Sequence, residues 1–145
     1  MMYWILNGPN LNRLGRRKPE IYGTLSMEQV VVDIQRTYPA LHFQYRQSNH
    51  EGDLIDWLQH LTDTPADCQG IVLNAGGLSH TSVSLRDAVE EACESGLRIV
   101  EVHISDIYTR EAFRHTSLLS DVVTHSIIGH GTNGYKEAIE WLEKH

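Results

Sequence analysis

The sequence predicts a three-layer α/β fold on a five-stranded parallel sheet, and three observations lead there. Short apolar runs alternate with helix-patterned stretches along the whole chain. Strict β/α alternation of this kind implies a parallel sheet with helices on both faces. The central runs are apolar on both sides, as strands covered on two faces must be.

The strands fall at residues 3–6, 41–46, 70–73, 98–102 and 122–128. Leu41-His42-Phe43-Gln44-Tyr45-Arg46 alternates apolar and polar, which puts the second strand at an edge with one wetter face. An edge position for that strand gives the flavodoxin-like order two-one-three-four-five. Ser26-Met27-Glu28-Gln29 is a capping box opening a helix that must stop before Pro39. Ser48-Asn49-His50-Glu51 reads as a second box, ahead of a helix with Leu54, Leu58 and Leu61 on one face. A polar loop is expected over 62–69. The next helix covers about 81–95 with Gly96 as its stop, and the last turns Ala138, Ile139 and Leu142 inward.

A chain of 145 residues is long enough to bury a core, so residues 1–145 are expected to form one catalytic α/β domain. Cys68 and Cys93 have no metal-ligand spacing and read as reduced fillers. Met1 leads straight into Tyr3-Trp4-Ile5-Leu6 without a basic flank, so neither a secretory leader nor a membrane span is expected and the cytoplasm is the expected location. A net charge of -7 opposes a broad nucleic-acid or membrane footprint, so an anionic ligand must be small and locally held. No His-x-x-x-His or Cys-x-x-Cys pair occurs among the 9 histidines and 2 cysteines, and no metal is expected.

Ligands of such sheets bind outside the carboxyl ends of the strands, in the loops at 7–22, 47–50, 74–81, 103–114 and 129–134. Gly129-His130-Gly131-Thr132-Asn133-Gly134 matches G-x-G-x-x-G, but no strand follows to supply the acidic residue that holds a ribose, so it reads as a turn. Glu101 and His103 project to the same face of their strand. They are either a satisfied structural pair or a carboxylate that orients an imidazole as a general acid. Arg13, Arg16, Arg17 and Lys18 precede Tyr22, either as a solvated basic turn or as cations that stabilise its phenolate. A tyrosine with its ordinary pKa near 10 is a poor base at neutral pH, and each unit of lowering needs about 1.4 kcal/mol. Residues 74–82 combine small residues with hydrogen-bond donors, as either a ligand loop or a flexible connection. Asp87 reads as a surface acid from its position alone, and Arg110 and Arg114 share a face of a short turn, binding anions or solvating it.

Taken together, Asn7-Gly8-Pro9-Asn10-Leu11-Asn12, Pro19-Glu20-Ile21-Tyr22-Gly23, Gln47-Ser48-Asn49-His50-Glu51-Gly52, Asn74 to Ser82 with Arg86-Asp87-Ala88, Glu101-Val102-His103-Ile104-Ser105 and Arg110-Glu111-Ala112-Phe113-Arg114 strongly resemble the type II 3-dehydroquinate dehydratases. The likeness covers almost the whole chain. It implies a flavodoxin-like fold, a dodecamer of four trimers, and cofactor-free conversion of 3-dehydroquinate to 3-dehydroshikimate through an enolate. Carried over by motif, Tyr22 is the base, Arg17 its cationic activator on a lid, and Asn10 the holder of a water at the enolate oxygen. His103, aligned by Glu101, protonates the departing hydroxyl. Asn74 and the N–H groups of Ile104 and Ser105 meet the substrate carboxylate, and His80, Arg114 and Asp87 hold ring hydroxyls, the aspartate in a neighbouring subunit. Arg110 lies beside the lid.

Two residues depart from the family pattern: Lys18 for a common Glu, and Asp106 for the usual Asn. The first is expected to add positive charge near Tyr22, the second to place a carboxylate near the substrate's own and weaken affinity. Three other readings compete. A Schiff-base lyase is disfavoured because Lys18, Lys136 and Lys144 are the only lysines, none in an apolar setting. A flavin- or phosphate-binding signalling module would want an acid where the first strand ends in Asn7. A pseudoenzyme would keep only the scaffold. The same reaction also serves both aromatic amino-acid synthesis and quinate breakdown, and synthesis is the commoner expectation.

Overall fold

Side chains alternate along the first strand, β1 (Met2–Asn7), and that alternation sets the layers. Tyr3 and Ile5 enter one apolar cluster, Leu6 the other. The computed structural model describes residues 2–145. β1 is joined by β2 (Phe43–Gln47), β3 (Cys68–Asn74), β4 (Ile99–His103) and β5 (His125–Ile128) in one parallel sheet of order β2-β1-β3-β4-β5. The expected order and class therefore stand.

After a short helix α1 (Pro19–Tyr22), α2 (Met27–Thr37) packs on the Tyr3 and Ile5 face through Met27, Val30 and Ile34. α3 (Glu51–Asp63) and α4 (Val83–Glu94) cover the opposite face, Leu54, Leu58 and Leu61 meeting Leu85, Val89 and Ala92. α5 (Asn133–Lys144) returns to the first face with Tyr135, Ala138, Ile139 and Leu142. Each such burial is worth about 1.5–3 kcal/mol, which makes the periodic apolar stripes the main source of stability.

Caps mark the helix ends. Ser26 Oγ accepts from Gln29 N–H at 3.2 Å and Ser26 N–H donates to Gln29 Oε1 at 2.8 Å, the reciprocal box expected. Ser82 Oγ caps α4 at Leu85 N–H, 2.9 Å, and Gly96 closes it at φ 102.

Several local expectations need correction. The second box does not form: His50 is the cap residue of α3, while Ser48 Oγ accepts from His50 N–H at 2.9 Å and donates to Asp53 at 2.6 Å. The serine is drawn to the carboxylate of the helix's first turn instead of Glu51. The polar loop over 62–69 shrinks, because α3 runs to Asp63, a 3-10 turn fills Pro65–Asp67, and β3 starts at Cys68. β5 begins only at His125, since Val122 and Val123 donate to Leu119 carbonyl oxygen in a turn. The edge strand does keep one wetter face as expected, Phe43 and Tyr45 packing half-buried on the Tyr3 side and Arg46 lying exposed over the Trp4 ring.

Register aligns polar residues at the carboxyl ends: Asn7 lies beside both Gln47 and Asn74, and Glu101 beside Ser126. Gly8 lets the first loop cross directly over the third, because a Cβ there would sit 2.4 Å from Ala75 carbonyl oxygen.

Candidate active site

The carboxyl ends of β1, β3 and β4 open on a cavity of about 120 Å³. Arg17 and Tyr22 come from the first loop and α1, Asn74 and His80 from β3 and the turn after it, and His103 from the tip of β4. Asn10, Ile104, Ser105, Arg110 and Arg114 complete the expected residues that line it. A chain -7 overall thus gathers three arginines at one concave site, where an anion would be held.

Tyr22 is the best-supported hydroxyl. Arg110 Nη1 donates to Tyr22 Oη at 2.8 Å and to Ser105 Oγ at 3.2 Å. The Arg17 guanidinium lies 5.0 Å from the Tyr22 ring centroid and that of Arg110 5.3 Å from it. The hydroxyl contact therefore belongs to Arg110, and Arg17 holds the ring face. Arg110 is extended between two 3-10 turns, Ile107–Thr109 and Ala112–Arg114, so Arg110 and Arg114 do not share one helical turn as expected. The two reach the same cavity from an irregular loop.

His103 is 5% exposed, and its Nε2 faces Glu101 Oε2 at 2.7 Å. Glu101 is fully buried and accepts further hydrogen bonds from Ser117, from Ser120 at 2.6 Å and from Ser126 at 2.9 Å. Burial alone would push this carboxyl up. The hydrogen bond and charge of His103, with the serine hydroxyls, outweigh burial and hold it down to about 2. Glu101 is thus a fixed anion behind the imidazole, and it leaves His103 Nδ1 as the ring nitrogen turned from the carboxylate.

His80 Nδ1 lies 2.8 Å from Thr116 carbonyl oxygen, so Nδ1 carries the proton and Nε2 is an acceptor. Burial lowers its pKa, the Thr116 carbonyl opposes this, and the charges of His103 and Arg114 lower it further. These effects favour the neutral ring, which lies 5.9 Å from that of His103 between centroids. Asn10 is in the left-handed region at φ 71, its N–H donating to Asn49 Oδ1 at 2.9 Å.

Some expected residues stand elsewhere. Asp87 is exposed on α4 and does not line the cavity of this chain. Lys18 is exposed at the cap of α1, in the left-handed region at φ 41, and contributes nothing to the cavity lining. Asp106 does not face the cavity either: its Oδ1 accepts from Tyr108 N–H at 3.0 Å and caps the following turn. The glycine-rich segment at 129–134 is a turn into α5, with Gly129 N–H donating to His103 carbonyl oxygen and Gly131 N–H to that of Ile104, both at 3.0 Å. It buttresses the site.

Sequence reasoning missed Ser117, Ser120 and Ser126. Strand parity beside Glu101 is the signal that could have found Ser126, but Ser117 and Ser120 lie on an irregular segment with no periodicity to place them. Tyr135 was also missed, although it continues the inward stripe of Ala138, Ile139 and Leu142.

Among the described residues no helix is long and apolar enough to cross a membrane, and no three His, Cys, Asp or Glu side chains gather as a metal set.

Comparison with known proteins agrees with this geometry. The family described as Dehydroquinase class II matches residues 1–143. The 3-dehydroquinate dehydratase of Bacillus subtilis (strain 168) is 46% identical over 142 residues, covering 97% of this chain and 92% of that protein. The enzyme of the same name from Corynebacterium pseudotuberculosis (strain C231) is 47% identical over 140 residues, 95% of this chain and 93% of its own. The crystal structure of type II dehydroquinase from Butyrivibrio crossotus DSM 2876 superposes with a TM-score of 0.91 at 39% identity, covering 99% of this chain and 97% of that one. With a full-length family match and relatives this similar, the chain belongs to the class II dehydroquinase family.

Proposed function

We propose that this chain, as one catalytic domain over residues 1–145, dehydrates 3-dehydroquinate to 3-dehydroshikimate without a cofactor, a step on the route to aromatic amino acids. The observation that carries it is the convergence, in one small cavity, of a hydroxyl bonded to a guanidinium and an imidazole backed by a buried carboxylate.

In this reading Tyr22, as phenolate, removes a proton from the carbon between the ketone and the hydroxyl-bearing carbon. The electron pair of that C–H bond moves onto the ketone oxygen and gives an enolate. Arg110 and Arg17 stabilise the phenolate that starts the cycle. Asn10 holds a water at the enolate oxygen, where charge develops. The enolate then collapses, the C–O bond to the hydroxyl breaks, and the proton on His103 Nδ1 goes to the leaving oxygen as water. Glu101 steadies the imidazolium before transfer and keeps Nε2–H in place afterwards. Return of the Tyr22 proton to solvent and reprotonation of His103 close the cycle.

The remaining groups position the substrate. Asn74 with the N–H groups of Ile104 and Ser105 receives the carboxylate. His80, with Nε2 free to accept, and Arg114 hold the ring hydroxyls. Asp87 lies outside this chain's cavity, which fits a role in a neighbouring subunit's site within a dodecamer of four trimers. Sedimentation of the purified chain tests that assembly, and a particle smaller than a dodecamer removes it. The net charge of -7 and the small anionic substrate suit a cytoplasmic enzyme without nucleic-acid or membrane partners.

The deciding experiment mixes purified protein with 3-dehydroquinate and follows the enone absorbance of the product, beside Tyr22→Phe and His103→Ala. Turnover that both substitutions abolish supports the proposal. No turnover in the unsubstituted protein sinks it.

A further inference from the structure

The last residues of β1 and β3, Asn7 and Asn74, are neighbours in register and both are buried. Between them lies the hydroxyl of Tyr135, from the first turn of α5 across the sheet. Asn74 Nδ2 donates to Tyr135 Oη at 2.9 Å, and Tyr135 Oη donates to Asn7 Oδ1 at 2.9 Å. The amide is held at both of its atoms: Gly76 N–H donates to Asn74 Oδ1 at 3.1 Å, and the nitrogen is turned to the phenol. Tyr135 is fully buried, and burial pushes its phenol far above the ordinary value, so the proton stays in the hydrogen bond. With Oδ1 and one N–H so occupied, the Asn74 amide keeps one N–H for the cavity it lines.

We infer that Tyr135 is a positioning residue of the active site, its hydroxyl acting with Gly76 N–H to hold the Asn74 amide in the one orientation that presents an N–H to substrate. A phenylalanine would fill the same place against the core. What it could not do is accept from Asn74 Nδ2, which leaves the amide held through the Gly76 contact to its oxygen alone. The inference rests on the reading that Asn74 meets the substrate carboxylate, a part of the substrate that does not react. Losing that orientation removes binding common to ground and transition states, so it raises KM and leaves kcat.

The test is a double-mutant cycle of Tyr135→Phe and Asn74→Ala in the full chain, with steady-state kinetics on 3-dehydroquinate. One misdirected hydrogen bond in Tyr135→Phe raises KM about tenfold with kcat within about twofold. In the Asn74→Ala background the same substitution moves KM by less than about twofold, because the two residues act as one unit. Ile139→Val, a packing loss on the same helix, lowers Tm without moving KM. Should Tyr135→Phe not fold, Asn7→Leu carries the test. It takes away the acceptor that orients the phenol and raises KM at least about threefold, again only when Asn74 is present.

An unchanged KM, or an equal shift in both backgrounds, overturns the role of Tyr135. Absence of turnover in the unsubstituted chain instead overturns the dehydratase reading. The Kd of 3-dehydroquinate by calorimetry across the same variants then decides Tyr135 by the same ratios.

Discussion

Arg110 reaches 88 positions back along the chain to donate its Nη1 proton to the Tyr22 hydroxyl at 2.8 Å. Arg17, closer in sequence, sits over the ring face at 5.0 Å from its centroid. A guanidinium bonded to oxygen stabilises a phenolate more than one facing the π-cloud, because charge and hydrogen bond act on the same atom.

Arg110→Ala is therefore expected to cut kcat/KM on 3-dehydroquinate by about 10–100-fold, the value of one hydrogen bond to a charged group. Arg110→Lys restores only part of it, since a compact, strongly hydrated ammonium on a shorter stem does not take the place of the Nη1 nitrogen that serves both Tyr22 and Ser105. Equal or larger losses in Arg17→Ala would reverse this ranking.

Glu101 links the site to stability. Its carboxyl titrates near 4.5 ordinarily and is held to about 2 in the fold, so its contribution is complete above pH 4.5 and drains away as pH falls toward 2. The size is on the order of 3 kcal/mol from the constant relating pKa shift to free energy. Denaturant unfolding at stepped pH should show this loss in the parent chain and a flatter profile over the same window in Glu101→Gln. Parallel profiles would remove the contribution.

Ser120→Ala strips one hydroxyl from Glu101 Oε1 and leaves Ser126 there. The carboxyl then rises toward its ordinary value. The acid-side loss of stability should begin at higher pH than in the parent, with about 1–3 kcal/mol lost at neutral pH. Carbon-detected NMR titration of the Glu101 carboxyl checks the direction.

Asp106→Asn is expected to leave KM unchanged. The side chain caps the turn at Tyr108 N–H and lies outside the cavity, and asparagine caps equally well. A lowered KM would restore the expectation, drawn from sequence, that Asp106 opposes the substrate carboxylate.

Gly8→Ala should cost about 1–3 kcal/mol by denaturant unfolding, since a Cβ must displace backbone and not a flexible side chain. It should also weaken turnover, because the loop it displaces carries Asn10. Stability equal to the parent would show that the close approach to Ala75 relaxes freely.

Borohydride added with 3-dehydroquinate should leave activity intact. None of the lysines, Lys18, Lys136 and Lys144, lines the cavity, so no imine can form there. Substrate-dependent inactivation would require a covalent route.

Layering, strand order and the location of the site at the strand ends were legible in the sequence. They follow from periodicity: a stripe such as Leu54, Leu58 and Leu61 can bury only as a helix face, and Glu101-Val102-His103 can only put its polar pair on one side of a strand. Motif likeness then named Tyr22, His103 and Asn74. What remained hidden depends on distance through space between irregular segments. Nothing local in residues 103–120 says that Arg110 turns to Tyr22 or that Ser117 and Ser120 close on Glu101. Those choices satisfy buried charge and hydroxyl groups that meet only once the sheet is assembled, so the tertiary structure decides them. Tyr135 lies between the two cases. Its inward position belongs to the helical stripe, but the two asparagines that its hydroxyl joins become neighbours only through parallel pairing of β1 and β3.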